Sequence, residues 1–163
     1  MARIVVQANK GRVLEDLIEL ALANVPGMKL FRQANIWVPL RGGRQGAFPF
    51  KGAPVDFVGA VNGIPVALEC KEVGRGKRLS LTGHRLPVKE IEAMREFEEA
   101  GGRAFLLVAF WQENVLSAYP WRVVEGELAS GARSIHCGRG FLYPLGSTAS
   151  LSLFLERLLG GGN

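Results

Sequence analysis

Asp56, Glu69 and Lys71 are the residues whose types and spacing suit chemistry. They stand in "PVDFVGAVNGIPVALECK", Pro54 to Lys71. Asn62-Gly63 between two apolar runs is the strongest short hairpin signal, and a two-residue loop sets the register of its strands. Counting outward, Val61 faces Ile64, Val58 faces Ala67 and Phe57 faces Leu68, so the next pair is Asp56 opposite Glu69. Alternation puts Lys71 on the same face as Glu69. The count makes Asp56 and Glu69 a non-hydrogen-bonded pair, with Cα atoms about 4.5 Å apart. Carboxylates so placed repel unless a cation or a shared proton intervenes. A hard divalent ion resolves the conflict, and magnesium takes one or two carboxylates while keeping waters for chemistry. Lys71 can then orient a water or steady a developing negative charge. The plainer alternative is that Lys71 neutralises the two acids in an ion-pair cluster at a sheet end. Glu-x-Lys alone is common; Asp56 falling in register with it is the specific feature.

The elements around this set must hold it in place. One face of the hairpin carries Val55, Phe57 and Val61 against Ile64, Val66, Leu68 and Cys70, which reads as core. The other face carries Val58, Ala60, Pro65 and Ala67, small enough for a helix to lie close. A first helix is expected after Asn9, an acceptable N-cap, running to about Asn24 before Pro26. It offers a third carboxylate. Glu15 lies about 20° beyond Leu22, at the edge of the apolar arc, while Asp16 and Glu19 lie farther out in solvent. Strands are expected at Val55–Val61, Ile64–Lys71, Arg103–Phe110 and Val115–Tyr119, with strand-like residues from Met28 to Val38. A second helix spans Pro87–Ala100, with proline in its first turn and Gly101-Gly102 at its end. Its glutamates, including Glu90, read as a mostly solvated face. A last helix at Thr148–Leu159 carries Leu151, Phe154, Leu155, Leu158 and Leu159 at helical spacing. Pro39–Pro54 and Gly74–Leu86 read as glycine-bearing loops, and "PWRVVEGELASGARSI" as a weakly patterned region. The expectation is one α/β domain over residues 1–163, a mixed sheet flanked by helices.

Composition narrows the class. With 48% hydrophobic and 21% charged residues the chain is globular, and no run of eighteen apolar residues occurs. Two cysteines, Cys70 and Cys137, make no disulfide framework or zinc spacing and suit buried thiols in a reducing cytoplasm. His84 and His136 read as surface and structural residues, and Trp37, Trp111 and Trp121 as core or interface. The net charge is +5 and the pI about 9.6, which permits an anionic partner. The basic residues cluster: Arg41, Arg44 and Lys51 in one loop, and Lys71, Arg75, Lys77, Arg78, Arg85 and Lys89 through the other. His84 lies among the second group. Such clusters in glycine-bearing segments favour nucleic acid over two merely solvated loops.

The set "PVD" and "ECK", after a helix bearing an acid, resembles the PD-(D/E)xK nuclease superfamily. The closer resemblance is to Holliday-junction resolvases of the RecU type. "NKGRVLED", Asn9 to Asp16, is similar to that family's N-terminal signature, and "SGARSI", Ser130 to Ile135, to a later stretch of it. "LPVKEIEAMREFEEAGG" resembles both RecU proteins and the archaeal resolvase Hjc. The likeness covers roughly Asn9 to Ile135. One departure stands out: Lys89-Glu90 replaces the His-Gln usual in RecU proteins. The resemblance implies a restriction-endonuclease-like fold and a homodimer, prokaryotic or phage, that cuts four-way junction DNA with magnesium or, in its place, manganese. It implies metal ligation by Glu15, Asp56, Glu69 and the Cys70 carbonyl, with Lys71 at the water or scissile phosphate. It implies that the Pro39–Pro54 segment is a stalk directed at the junction centre, where Phe48, Phe50 and the arginines suit base stacking and phosphate contact. The apolar first and last helices are candidates for the dimer surface. A general duplex endonuclease and a non-catalytic junction-binding module remain as alternatives.

Overall fold

The computed structural model describes residues 12–23, 25–33 and 54–161, and residues 37–39 and 47–49 by backbone alone. In chain order the elements are α1 (Val13–Leu22), β1 (Met28–Arg32), β2 (Trp37–Pro39), β3 (Ala47–Pro49), β4 (Phe57–Val61), β5 (Ile64–Val73), β6 (Arg78–Ser80), α2 (Val88–Glu99), β7 (Arg103–Phe110), β8 (Val115–Pro120), α3 (Trp121–Ala129), β9 (Ser134–His136), β10 (Phe141–Pro144) and α4 (Thr148–Leu159). Six strands form one mixed sheet in the order β1-β4-β5-β7-β8-β10. β5 and β7 run parallel; the other described neighbours in this sheet run antiparallel. The parallel pair needs a long crossover, and α2 supplies it.

The hairpin forms as its turn residues dictate. Asn62 and Gly63 both take positive φ, 49° and 80°, as a two-residue turn matched to strand twist requires. The register is the expected one, from Val61 opposite Ile64 to Phe57 opposite Leu68. β7 lies at the centre, and Ala104 through Phe110 are buried on both faces, which explains their unbroken apolar run.

Each face of the sheet has its own core. On the first, Leu14, Ile18, Ala21 and Leu22 of α1 and Leu151, Leu155 and Leu159 of α4 pack on Phe57, Val66, Leu68 and Cys70. On the second, Met94 of α2 and Trp121 and Val124 of α3 pack on Ala67, Leu106, Val108 and Phe110. Burying each large apolar side chain contributes about 1.5–3 kcal/mol, so these two layers fix where the helices sit.

Several sequence expectations are corrected. Val55 belongs to the second core, not the first, because β4 begins only at Phe57 and strand alternation does not reach it. α1 begins at Val13, not just after Asn9, with Arg12 before it; Asn9 lies outside the described residues. Gly11 weakens the expected first turn, since glycine is costly in a helix. Pro39–Pro54 is not wholly a loop, because Ala47–Pro49 pairs antiparallel with Trp37–Pro39. Gly74–Leu86 is not wholly a loop either. It holds β6, paired with β9, and a short 3₁₀ turn at Gly83–Arg85. That pairing buries Leu79 against Ile135, far along the chain, a meeting that local pattern does not reveal. The weak region after Pro120 holds α3, whose interior Gly126 lowers local propensity while buried Trp121 and Val124 anchor it. Among the described residues no helix is long and apolar enough to cross a membrane.

Candidate active site

The β4–β5 ladder ends one step before Asp56, which corrects the expected cross-strand pairing with Glu69. The Asp56 amide donates to the Leu68 carbonyl at 3.1 Å, the carbonyl already opposite Phe57, so the strand departs from regular alternation here. The Asp56 carbonyl accepts from the Gln33 amide at 2.7 Å. Its carboxylate Oδ2 accepts from the Cys70 amide at 2.7 Å. A side chain thus takes the position that a backbone carbonyl of β4 would hold in a longer ladder. In a regular strand a residue's N–H and C=O point to the same neighbour. The Cys70 carbonyl therefore also faces the side where β4 has ended, a disposition that suits it as a ligand.

Glu69 and Lys71 lie on the second face, opposite Leu106 and Val108 of β7. Glu69 is only 4% exposed, so its charge needs a partner. Lys71 Nζ lies 2.9 Å from Glu69 Oε1 and 2.7 Å from Glu90 Oε2. Glu90, in the first turn of α2, is the site residue that sequence reading missed. The signal was available. Glu90 precedes buried Met94 by four residues and Phe97 by seven, which places it on the sheet-facing side of the helix. Glu92, Glu96, Glu98 and Glu99 are exposed, as the solvated-face reading expects.

Glu15 approaches from the first face. Arg32 engages it, Nε donating to Oε2 at 3.0 Å, and also reaches Asp16 and Glu19 at 2.6 and 3.0 Å. Asp16 and Glu19 are thus exposed as expected but share a cation. Burial works against the Arg32 charge, but hydrogen bonds to Asp16, Glu15 and Glu19 outweigh it and hold the guanidinium firmly protonated. Glu15 adds to the negative potential at Asp56 and Cys70, so Asp56 is the joint between the two faces.

The electrostatics are those of a site short of positive charge. Burial pushes Asp56 up to about 6 despite the Cys70 hydrogen bond and the Lys71 charge, with Glu15 and Glu90 adding repulsion. Burial and then Asp56 repulsion push Glu69 well above the usual carboxylate range. Burial penalises the Lys71 ammonium, but Glu69 and Glu90 more than offset it. Glu69 and Glu90 flank one ammonium, and the Asp56 charge is near enough to be felt by both acids and the lysine. Glu90 Oε2 is buried and accepts no well-directed hydrogen bond. Hard oxygen donors with a charge deficit fit a divalent cation. Among the described residues no three metal-ligating side chains converge on one point, because Lys71 lies between Glu69 and Glu90 and Arg32 engages Glu15.

The remaining predicted residues lie variously. Arg75, Lys77, Arg78, His84 and Lys89 are exposed. Arg78 is tied to Ser134 by Nε to Oγ at 2.8 Å, and Lys77 lies 3.6 Å from Glu113. Arg85 donates to the Glu72 carbonyl at 2.7 Å, fastening the approach to α2 onto β5. Arg41, Arg44, Phe50 and Lys51 lie outside the described residues, as does the side chain of Phe48. Cys70 and Cys137 are buried free thiols. His136 Nδ1 accepts from the Gly138 amide, a structural role. Trp121 is buried, and Trp111 donates to Glu72 at 2.8 Å.

A half-buried aspartate stands beside a Glu-x-Lys strand, on a mixed sheet covered by helices on both faces. A family model described as Recombination protein U matches residues 41–136, more than half of the 163, and the chain belongs to that family of Holliday-junction resolving endonucleases. No curated protein matches the chain. Among solved structures, Hjc of Archaeoglobus fulgidus, a Holliday junction resolvase from an archaeal hyperthermophile, is similar over 85% of this chain and 95% of that chain. The two share 24% identity with a TM-score of 0.47.

Proposed function

We propose that this chain cleaves four-way DNA junctions by hydrolysis that depends on a divalent cation, magnesium in the cell and manganese as a substitute. The observation that carries this is the Asp56, Glu69 and Lys71 cluster at a strand end, with Glu69 buried, Asp56 and Lys71 half-buried, and the set short of positive charge. Asp56, Glu69 and the Cys70 carbonyl would hold the cation, joined by Glu15 on release from Arg32. When bound, the cation would supply Lewis-acid polarisation of the scissile phosphate and an activated water. The residues do the rest. Asp56 is held in one rotamer by the Cys70 amide, so a ligand oxygen is pre-positioned. Lys71 presents an ammonium beside Glu69, where it can meet a phosphate oxygen and offset its growing charge.

Exposed Arg75, Lys77, His84 and Lys89, with Arg78 and Arg85 nearby, would contact phosphates along one arm. The 37–49 ribbon, with Arg41, Arg44, Phe48, Phe50 and Lys51 in or beside it, would approach the branch point. A junction has approximate two-fold symmetry, so a homodimer would present two sites to two strands. Its work would lie in the cytoplasm, where junction DNA is accessible. The test is strand cleavage of a synthetic mobile four-way junction beside a linear duplex of one arm, each with magnesium, manganese or EDTA. Paired nicks on the junction alone, lost in EDTA, are expected. Equal cutting of both substrates would mean a general endonuclease. Tight binding with no cutting in any metal would leave a junction-binding module.

A further inference from the structure

The geometry assigns Glu90 as the positioning residue for Lys71, a role that rests on the function proposed above. Glu90 comes from the crossover helix α2, yet its Oε2 lies 2.7 Å from Lys71 Nζ, closer than the 2.9 Å to Glu69. The oxygen is buried and accepts no hydrogen bond of good geometry, so the Lys71 ammonium is its counterpart by charge.

The start of α2 is built to hold this carboxylate still. Leu86 is buried just before the helix, and the Glu90 amide donates back to the Pro87 carbonyl at 3.0 Å. Arg85 bolts the same segment to the Glu72 carbonyl, one residue past Lys71. Met94, fully buried four residues on, fixes the rotation of the helix. A carboxylate in the first helical turn also sits favourably at the positive end of the helix dipole. Strand β5 and helix α2 therefore hold the lysine head from two directions.

The two anchors are not equivalent. Glu69 is the one whose charge a bound cation would claim. Glu90 then remains as the anchor that keeps Lys71 in place. Lysine has a flexible four-carbon stem and loses considerable rotamer freedom when held, so a head group with no anchor wanders. Glu90 does this through Lys71 and does not itself meet the substrate.

The test uses the full chain as E90A and E90Q. Junction affinity is measured in EDTA, the single-turnover cleavage rate at saturating junction is measured in magnesium, and melting is followed for each. E90A should bind the junction as wild type does and cut it about ten- to a hundredfold more slowly, the scale of loss when a reacting group is misplaced. E90Q keeps an oxygen acceptor on the same stem and should recover most of the rate. A second readout needs no DNA: the ¹⁵N resonance of the Lys71 ammonium, assigned by its absence in K71R, followed with magnesium added. It should be protected from solvent exchange in wild type and lost in E90A. A folded E90A that cuts at the wild-type rate, or an unchanged Lys71 signal, would overturn the assignment. So would E90Q being no better than E90A. If the wild-type chain fails to cut junctions, the proposed function falls, while the resonance still decides whether Glu90 holds Lys71.

Discussion

Asp56 Oδ2 accepts from the Cys70 amide at 2.7 Å, where a backbone carbonyl would have continued the β4–β5 ladder. An asparagine there keeps the acceptor and removes the charge. D56N should lose junction cleavage by more than about a hundredfold, since a ligand charge is gone. In EDTA at pH 8 it should nonetheless melt higher than wild type, because burial pushes the Asp56 carboxyl up to about 6 and its charge is unfavourable there. The rise to about 6 sets an upper limit of about 3 kcal/mol on the gain, or roughly 6–12 °C for a chain of this size. Calorimetry and a cleavage assay on the same preparation read both effects. A D56N protein that cuts normally would remove Asp56 from the site.

The same charges give a pH dependence of definite sign. Asp56 and Glu69 are raised in the folded chain by burial and mutual repulsion. Over the interval from about 4, the unfolded value, to the raised folded values, the folded chain binds more protons than the unfolded chain. The contribution of these groups to stability is thus full below about pH 4 and is lost as pH rises through about 6 and beyond. In EDTA the melting temperature of wild type should fall between pH 5 and pH 8 relative to E69Q. Magnesium should narrow the gap at pH 8. Parallel profiles for the two proteins would mean that Glu69 carries no such burden.

Arg32 gathers Glu15, Asp16 and Glu19 on one guanidinium, itself about a quarter exposed. In R32A the three acids repel one another along α1. Partial exposure keeps the loss of stability in EDTA to about 1 kcal/mol, after discounting for solvent screening. The freed Glu15 adds its charge beside Asp56, so magnesium should raise the melting temperature of R32A by more than it raises that of wild type. Thermal melts with and without magnesium decide it. Equal shifts would mean that Glu15 does not take part in cation binding.

What was legible in the sequence follows from how local the information is. Asn62-Gly63 sets the hairpin register by itself, and Phe57 opposite Leu68 follows by counting. The leucines of α4 reveal their helix because their spacing is local. Asp56 shows where counting stops: its amide goes to Leu68 and its side chain enters the ladder, a departure that apolar patterning does not register. Glu90 escapes notice because a helix rich in glutamate looks solvated all round unless each acid is placed against Met94 and Phe97. The β6–β9 pair escapes because Leu79 and Ile135 meet only after the chain has folded around α2 and α3.

The basic segment after β5 should govern affinity and leave the chemical step alone. Arg75 and Lys77 are exposed, and the approach of Lys77 to Glu113 is loose at 3.6 Å. Among the described residues, the ion pairs of Glu69, Lys71 and Glu90 involve neither of them. If each meets a phosphate, R75A/K77A should weaken junction binding across sequences. It should also reduce the slope of log affinity against log salt by roughly 2, close to one for every phosphate left unneutralised. The single-turnover rate at saturating junction should stay near the wild-type value. Filter binding over a salt series and a saturating cleavage assay separate the two quantities. An unchanged slope would place the DNA on another surface, whereas a fall in the saturated rate would show that this segment also shapes the site around Lys71.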